Sequence, residues 1–223
     1  MTSDESWSNK LRTVGDIERP DHYYLNRGDE CAFFGEYTAR KGWRHSTTNG
    51  IITNLKKSVE KRGTAEWQYK ERAIAQVAAL IRANLAADVL PNITIVPAPP
   101  SRAPTDPLYD DRVERIARCI GAGIDVRCLL STAQSRDAAH LSDDRPGPDA
   151  LEQGLLWNQQ EANRKAVGNI IIVLDDVLVT GATFVACSRV LKRAYPAVSV
   201  YGLFVARRVP ERTLPFNDFD IEL

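Results

Sequence analysis

Cysteines are few and far apart in this 223-residue chain. Cys31, Cys119, Cys128 and Cys187 make no CxxC pair, whereas zinc clusters and redox pairs need closer spacing. They read as buried, reduced thiols. The three histidines, His22, His45 and His140, form no HxxxH or HExxH array, which argues against a metal site built wholly from side chains. No run of 18 apolar residues occurs, so no membrane-spanning helix is expected. The opening residues MTSDESWSNK lack the apolar core of a signal peptide. Net charge is lacking too. The 29 Lys and Arg balance the 29 Asp and Glu, which argues against the broad cationic surface of a non-specific nucleic-acid binder, though a local basic patch is still allowed. There is no internal repeat and no low-complexity segment. The expectation is a soluble, cytoplasmic protein with one α/β domain and room for a small appendage.

What the chain does have is an alternation of strand and helix signals. The first 65 residues are mixed and aromatic-rich, with Tyr23, Tyr24, Phe33, Phe34, Tyr37 and Trp43. Within them ECAFFGEYT suits a strand, and NGIITNLKKSVEK suits a short helix with Asn49 near its cap. Trp67, Ile74, Val77, Leu80, Ile81 and Leu85 then recur at helical spacing and stop before Pro91. NITIVPAPPSRAP reads as a short β-branched strand running into a proline-rich loop. DPLYDDRVERIARCIGAG reads as a helix with Val113, Ile116 and Ile120 on one face and Gly121 as its stop. IDVRCLL suits the next strand. Ser131 to Gly168 has little apolar periodicity and contains DDRPGPD, the texture of a mobile loop. NIIIVLDD (strand), ATFVACSRVLKRAY (helix) and VSVYGLFVARR (strand) close the pattern.

Such alternation implies right-handed crossovers and a mainly parallel central sheet covered by helices on both faces. The unbroken apolar run Ile170 to Leu174 suits a central strand. The expected division is an N-terminal extension, residues 1–65, and an α/β core, 66–223, with a flexible loop around 132–160.

One stretch carries chemistry. IIIVLDDVLVTGATF joins an aliphatic run to two adjacent carboxylates, Asp175 and Asp176, and then to a turn with almost no side chains. In an open parallel sheet, ligands bind beyond the carboxyl ends of the strands. The Gly181 turn opens a helix, whose free N–H groups and dipole favour an anion. Thr180 and Thr183 add hydroxyls, while Gly181 and Ala182 let a phosphate approach the main chain. Two acids would repel that anion unless they bind another part of the same molecule. A ribose diol fits, because charge-assisted hydrogen bonds to its hydroxyls contribute about 1.5–3 kcal/mol each. The bland alternative is a capped strand–turn–helix with solvated acids.

The apolar strand followed by DDVLVTGAT resembles the 5-phosphoribosyl-1-pyrophosphate (PRPP) signature of the type I phosphoribosyltransferases. The resemblance spans about Ile93 to Arg208 and rests mainly on residues 170–184. It implies the type I phosphoribosyltransferase fold, with Asp175 and Asp176 on the ribose hydroxyls and Val179, Thr180, Gly181, Ala182 and Thr183 around the 5-phosphate. Val179 departs from the pattern, since many members carry a second threonine there, and one hydroxyl contact is thereby in doubt. IVPAPPSRAP stands where the family has its pyrophosphate loop, which makes Ser101 and Arg102 candidate ligands of that group and Arg102 a catalytic candidate. The proline wealth also resembles the competence-associated branch, without its cysteine-rich zinc module. The family's flexible loop would correspond to TAQSRDAAHLSDDRPGPDALEQG, bringing Arg136, His140 and Arg145 to the leaving group. A hood outside the core would recognise the base. The aromatics of residues 23–43 are candidates for it, although aromatic clusters more often form core.

The resemblance implies a transferase that uses PRPP and Mg²⁺, the metal held mainly by substrate oxygens, with an unidentified base or amine as acceptor. A homodimer is compatible with that reading. The rivals are a PRPP- or nucleotide-binding regulator without catalysis and, on fold analogy alone, a nucleic-acid-processing accessory.

Overall fold

The computed structural model describes residues 6–136 and 145–210. In chain order the strands are β1 (Trp7–Thr13), β2 (Cys31–Thr38), β3 (Ile93–Pro97), β4 (Asp125–Val126), β5 (Leu130–Thr132), β6 (Leu155–Trp157), β7 (Ile170–Leu178) and β8 (Ser199–Val209). The helices are α1 (Thr47–Leu55), α2 (Trp67–Asn84), α3 (Arg112–Cys119), α4 (Pro148–Gln153), α5 (Gln159–Ala162) and α6 (Ala182–Ala194). Six strands form one sheet in the order β1-β2-β8-β7-β3-β4. Its pairs are parallel except β1–β2, which is antiparallel. The fold is therefore mixed α/β with a mainly parallel central sheet.

The apolar run of β7 pairs on both edges, with β3 from Ile93↔Ile170 to Pro97↔Leu174 and with β8 from Ile170↔Ser199 to Leu178↔Arg207. Its alternate side chains feed two cores. Ile172 and Leu174 pack with Ile52, Leu55, Ile74, Val77 and Ile116 from α1, α2 and α3. Ile171 and Val173 pack with Phe184, Val185, Cys187 and Leu191 of α6. A run apolar at every position is what a strand buried on both faces requires. Each fully buried Ile or Leu contributes about 1.5–3 kcal/mol. On α2 the buried stripe is Ala73, Ile74, Val77, Ala78 and Ile81, the spacing of an amphipathic helix.

The N-terminal third does not stand apart from this sheet. β2 lies between β1 and β8 and pairs with β8 from Cys31↔Gly202 to Thr38↔Val209. Phe33 and Phe34 enter opposite cores, whereas Tyr23 and Trp43 are 65% and 59% exposed. α1 sits directly on β2 because Gly35 leaves it room, since a Cβ there would lie 2.6 Å from Thr48 Oγ1. The expected short helix is present over its first part only: α1 starts at Thr47, with Ser46 as N-cap accepting from the Asn49 amide, and stops at Leu55, short of the KKSVEK end of the expected segment.

Two further expectations need correction. IDVRCLL is not one strand, because it leaves the main sheet after Val126. At that point the fully buried Arg127 guanidinium turns to the Asp125 carboxylate and to the carbonyls of Lys165 and Ala166. Leu130–Thr132 then pairs antiparallel with β6. The region expected as a flexible loop holds α4, β6 and α5. Pro148 starts α4, and Leu151 packs on Ala182 and Ala186 of α6. Residues 137–144, including His140, lie outside the described residues. Of the cysteines, Cys31 and Cys187 are buried, Cys128 is half-buried and Cys119 is exposed at the end of α3, so burial holds for only part of the set.

Candidate functional site

From β3 the chain crosses by α3 to β4 on one side, and from β7 it crosses by α6 to β8 on the other. Strand order reverses between β3 and β7, and such a reversal opens a crevice at the carboxyl ends of the strands. Pairing with β3 stops at Leu174, with Ala98 N–H donating to Leu174 O at 2.8 Å, while β7 continues beside β8 to Leu178. Asp175 and Asp176 thus lie within the strand, past the end of its neighbour. A cavity of about 820 Å³ opens there, within the range of small-molecule sites.

One end of the cavity is the turn Val179 to Thr183, all five residues of which line it. Gly181 is the N-cap of α6 with φ +86°, a left-handed conformation that favours glycine. A Cβ there would also stand 2.8 Å from Leu25. Thr180 Oγ1 accepts from the Ala182 amide at 3.3 Å, tightening the turn. The first N–H groups of α6 have no intrahelical acceptor, which makes this end suited to an anion.

The floor is the acid pair, and its members face different neighbours. Asp176 is buried on the α1–α3 side. Arg112 donates to its Oδ2 through Nε at 2.8 Å and Nη2 at 2.7 Å, and Lys56 Nζ lies 3.8 Å away. Arg112 Nη1 also meets Asp110 Oδ2 at 2.9 Å, and the same oxygen accepts from the fully buried Lys70 Nζ at 2.6 Å. Lys70 completes its hydrogen bonding with the Lys57 carbonyl at 2.9 Å. Asp175 is half-buried, accepts from the Asp176 amide at 2.7 Å, and its charge reaches the buried Cys187 thiol of α6.

These surroundings drive two adjacent carboxyls apart. Burial, and then the charge of Asp176, pushes Asp175 up to about 7. Burial alone would raise Asp176 as well, but the Arg112 guanidinium and the Lys56 ammonium outweigh it and hold that carboxyl well below the usual carboxylate range. One acid is a fixed, neutralised charge. The other has its protonation balance moved towards neutral pH by burial and by its charged neighbour.

The far wall is the proline-rich loop after β3. Ser101 lines the cavity beside Pro99 and Pro100, and so do Arg136 and Arg145. The loop is tied to residues 132–136 by Thr132 Oγ1 donating to Pro100 O at 2.6 Å and Arg136 N–H donating to Ser101 O at 2.9 Å. Arg136 Nε is buried with no hydrogen-bond partner among the described residues. Arg102 is not part of the cavity wall, because its guanidinium turns to Asp106 at 3.3 Å. Two wall residues, Lys56 and Arg112, escaped sequence reasoning. Arg112 sits at the start of an amphipathic helix and Lys56 at the end of another, where a charged residue is ordinary. The acidic run Asp110–Asp111 just before Arg112 was the sole local signal that a charge network begins there.

Among the described residues, no three His, Cys, Asp or Glu side chains gather where they could hold a metal ion, and no helix is long and apolar enough to cross a membrane. No family model matches the chain, and no curated protein matches it.

Proposed function

We propose that this protein is a phosphoribosyltransferase of the type I kind, which binds PRPP with Mg²⁺ and transfers its ribose 5-phosphate to a nitrogen acceptor. The observation that carries the reading is the juxtaposition, in one cavity, of the Gly181 turn, the split acid pair and the Ser101 loop. The turn takes the 5-phosphate on backbone N–H groups and on the Thr180 and Thr183 hydroxyls. Asp175 accepts from the ribose hydroxyls. Ser101, Arg136 and Arg145 supply donors and charge for the pyrophosphate.

In the reaction the bond from C1 to the pyrophosphate oxygen breaks, and its electron pair leaves with the pyrophosphate. The acceptor nitrogen supplies the electron pair of the new bond to C1, and where it carries a proton that proton passes to water or to the departing pyrophosphate. Positive charge grows on the ribose ring meanwhile, and an ionised Asp175 lies on the cavity floor to favour it. Asp176, neutralised by Arg112, serves mainly to keep that floor in place. The donor set suits a metal that arrives with its substrate: among the described residues no cluster of side chains could hold it alone, Asp175 would offer it a carboxylate, and Mg²⁺ would neutralise pyrophosphate oxygens. Among the described residues, the cations Lys56, Arg112, Arg136 and Arg145 outnumber the two acids lining the cavity, which suits a polyanionic substrate.

The test is a titration of PRPP with Mg²⁺, followed by an assay of pyrophosphate release over purines, pyrimidines, nicotinate and small amines. Saturable PRPP binding with release for at least one acceptor is expected. Absence of binding at millimolar PRPP would overturn the reading. Binding with no release for any acceptor would favour a PRPP-binding regulator.

A further inference from the structure

Residues 19–29 belong neither to the acid pair nor to the turn, yet they grip the turn at three successive positions. His22 Nδ1 lies 2.6 Å from the Val179 carbonyl oxygen. The Tyr24 amide donates to the Thr180 carbonyl at 3.0 Å. The buried Leu25 side chain fills the space over Gly181. We infer that this segment is a strap that positions the anion turn, with His22 as its positioning residue. The inference rests on reading the turn as the 5-phosphate site.

The strap is built to hold a shape. Arg19 donates to the carbonyls of Asn26, Asp29 and Val14, and Asp29 Oδ2 accepts from the Asn26 amide at 2.9 Å. Arg207 of β8 anchors it through Asp21 at 3.1 Å. His22 is fully buried, and its Nε2 has no hydrogen-bond partner among the described residues. A carbonyl facing Nδ1 requires the tautomer protonated at Nδ1, which leaves a bare lone pair on Nε2. The ring is therefore a neutral single donor aimed at one carbonyl.

The consequence follows from peptide geometry. No cis peptide bond occurs among the described residues. In a planar trans peptide the C=O and the following N–H point in opposite directions. Binding the Val179 and Thr180 carbonyls on the strap side turns the N–H groups of Thr180 and Gly181 away from it. Residues 179–183 line the cavity. The strap thus selects which polar groups the turn offers to a ligand, donors rather than acceptors, before any phosphate arrives. It also bears on Val179: the strap engages the backbone of that residue, so a hydroxyl in its side chain is dispensable for shaping the turn.

The experiment measures ribose 5-phosphate affinity for the full chain, with magnesium pyrophosphate as a second ligand that needs the Ser101 loop. His22→Leu keeps bulk and removes the donor. His22→Asn places an amide N–H as many bonds from Cβ as Nδ1. The Leu variant should bind ribose 5-phosphate about tenfold more weakly, the order of one lost buried hydrogen bond, with pyrophosphate affinity unchanged. The Asn variant should recover most of the loss. Failure of the unaltered protein to bind ribose 5-phosphate overturns both the site and the strap. Equal affinity in the unaltered protein and His22→Leu overturns the strap alone. So does an Asn variant as weak as the Leu variant, or a loss shared with pyrophosphate. Should His22→Leu not fold, amide exchange in the unaltered protein decides: the Tyr24 N–H should exchange more slowly with ribose 5-phosphate bound, and an unchanged rate overturns the strap.

Discussion

The two walls of the crevice are made in different ways. The α6 wall comes from one continuous stretch, 170–184, in which strand, carboxylate, glycine turn and helix follow one another. The opposite wall is collected from α1, α2 and α3, where Arg112 reaches Asp176 across 64 positions of sequence and Lys70 and Asp110 brace it from behind. The walls therefore treat two neighbouring carboxyls oppositely. Cations meet Asp176 and keep it ionised, whereas Asp175 faces the α6 side with a thiol and apolar groups and is pushed towards neutrality. A continuous motif can say where a ligand goes, but the network gathered from afar decides which acid is available to it.

The strongest way to break the comparison is to remove the guanidinium that separates the acids. Arg112→Ala leaves Asp176 buried beside Asp175 with only the more distant Lys56. Breaking a buried pair on one side costs about 3–5 kcal/mol. In a domain of this size that corresponds to a fall in melting temperature on the order of 10 °C. Combining Arg112→Met with Asp176→Leu should recover much of the loss, since no unpaired charge then stays buried. A single variant melting with the unaltered protein would show that the network does not hold the wall.

Next in size is the effect on chemistry. Asp175→Asn keeps the shape of the side chain and removes a charge that no cation among the described residues pairs directly. Thermal stability should not fall, because repulsion of Asp176 is relieved. Turnover should fall about hundredfold or more if Asp175 favours a cationic ribosyl transition state, further than PRPP affinity does. Equal losses in both would make Asp175 a binding contact only.

The α6 wall was legible in the sequence because every part of it is local: the aliphatic run, the acids, Gly181 and the helix lie within fifteen residues, Ile170 to Phe184. Alternating strands and helices gave the parallel sheet for the same reason. Lys56, Arg112 and the strap at His22 were not legible, since single charged or aromatic residues near helix ends and turns acquire a role only through contacts made in three dimensions. α4 was missed because six residues are too few to display a period, and its helix is held by packing of Leu151 on α6 rather than by propensity. β2 was readable as a strand, but its place inside the sheet, beside β8, depends on a pairing between distant segments.

A smaller effect should appear in the pH dependence of stability. The folded pKa of Asp175 lies at about 7, above the ordinary 3.8. The folded chain therefore keeps a proton that the unfolded chain releases. This contribution is fully present below pH 3.8 and is lost as pH rises through about 7. Asp176 has the opposite sign, its contribution being present above 3.8 and lost only in stronger acid. His22, lowered from 6.5 by burial, contributes above 6.5 and loses that contribution as pH falls, so it opposes Asp175 in the same window. Subtracting Asp175→Asn from the unaltered protein cancels the shared His22 slope. The variant's melting temperature should gain on the unaltered protein from about pH 4 to pH 7, then hold level. A constant difference across that window would mean that Asp175 is ionised throughout, and the walls would differ less than proposed.

The smallest effect is expected at Arg102, and it tests how far a motif can be read without its surroundings. By position in IVPAPPSRAP, Arg102 was the leading candidate for the pyrophosphate, yet it does not line the cavity and meets the Asp106 carboxylate instead. Arg136, which does line it, has a buried Nε without a partner among the described residues. A charge-assisted hydrogen bond to a phosphate oxygen contributes about 1.5–3 kcal/mol, whereas a substitution away from the site usually stays within about 0.5 kcal/mol. Arg136→Ala should therefore weaken magnesium pyrophosphate at least about tenfold, and Arg102→Ala by no more than about twofold, both read by calorimetric titration. The reverse ranking would mean that the loop rearranges around the ligand, swinging Arg102 away from Asp106 and into the cavity. In that case the wall formed by the proline-rich loop would be completed by the substrate rather than built in advance.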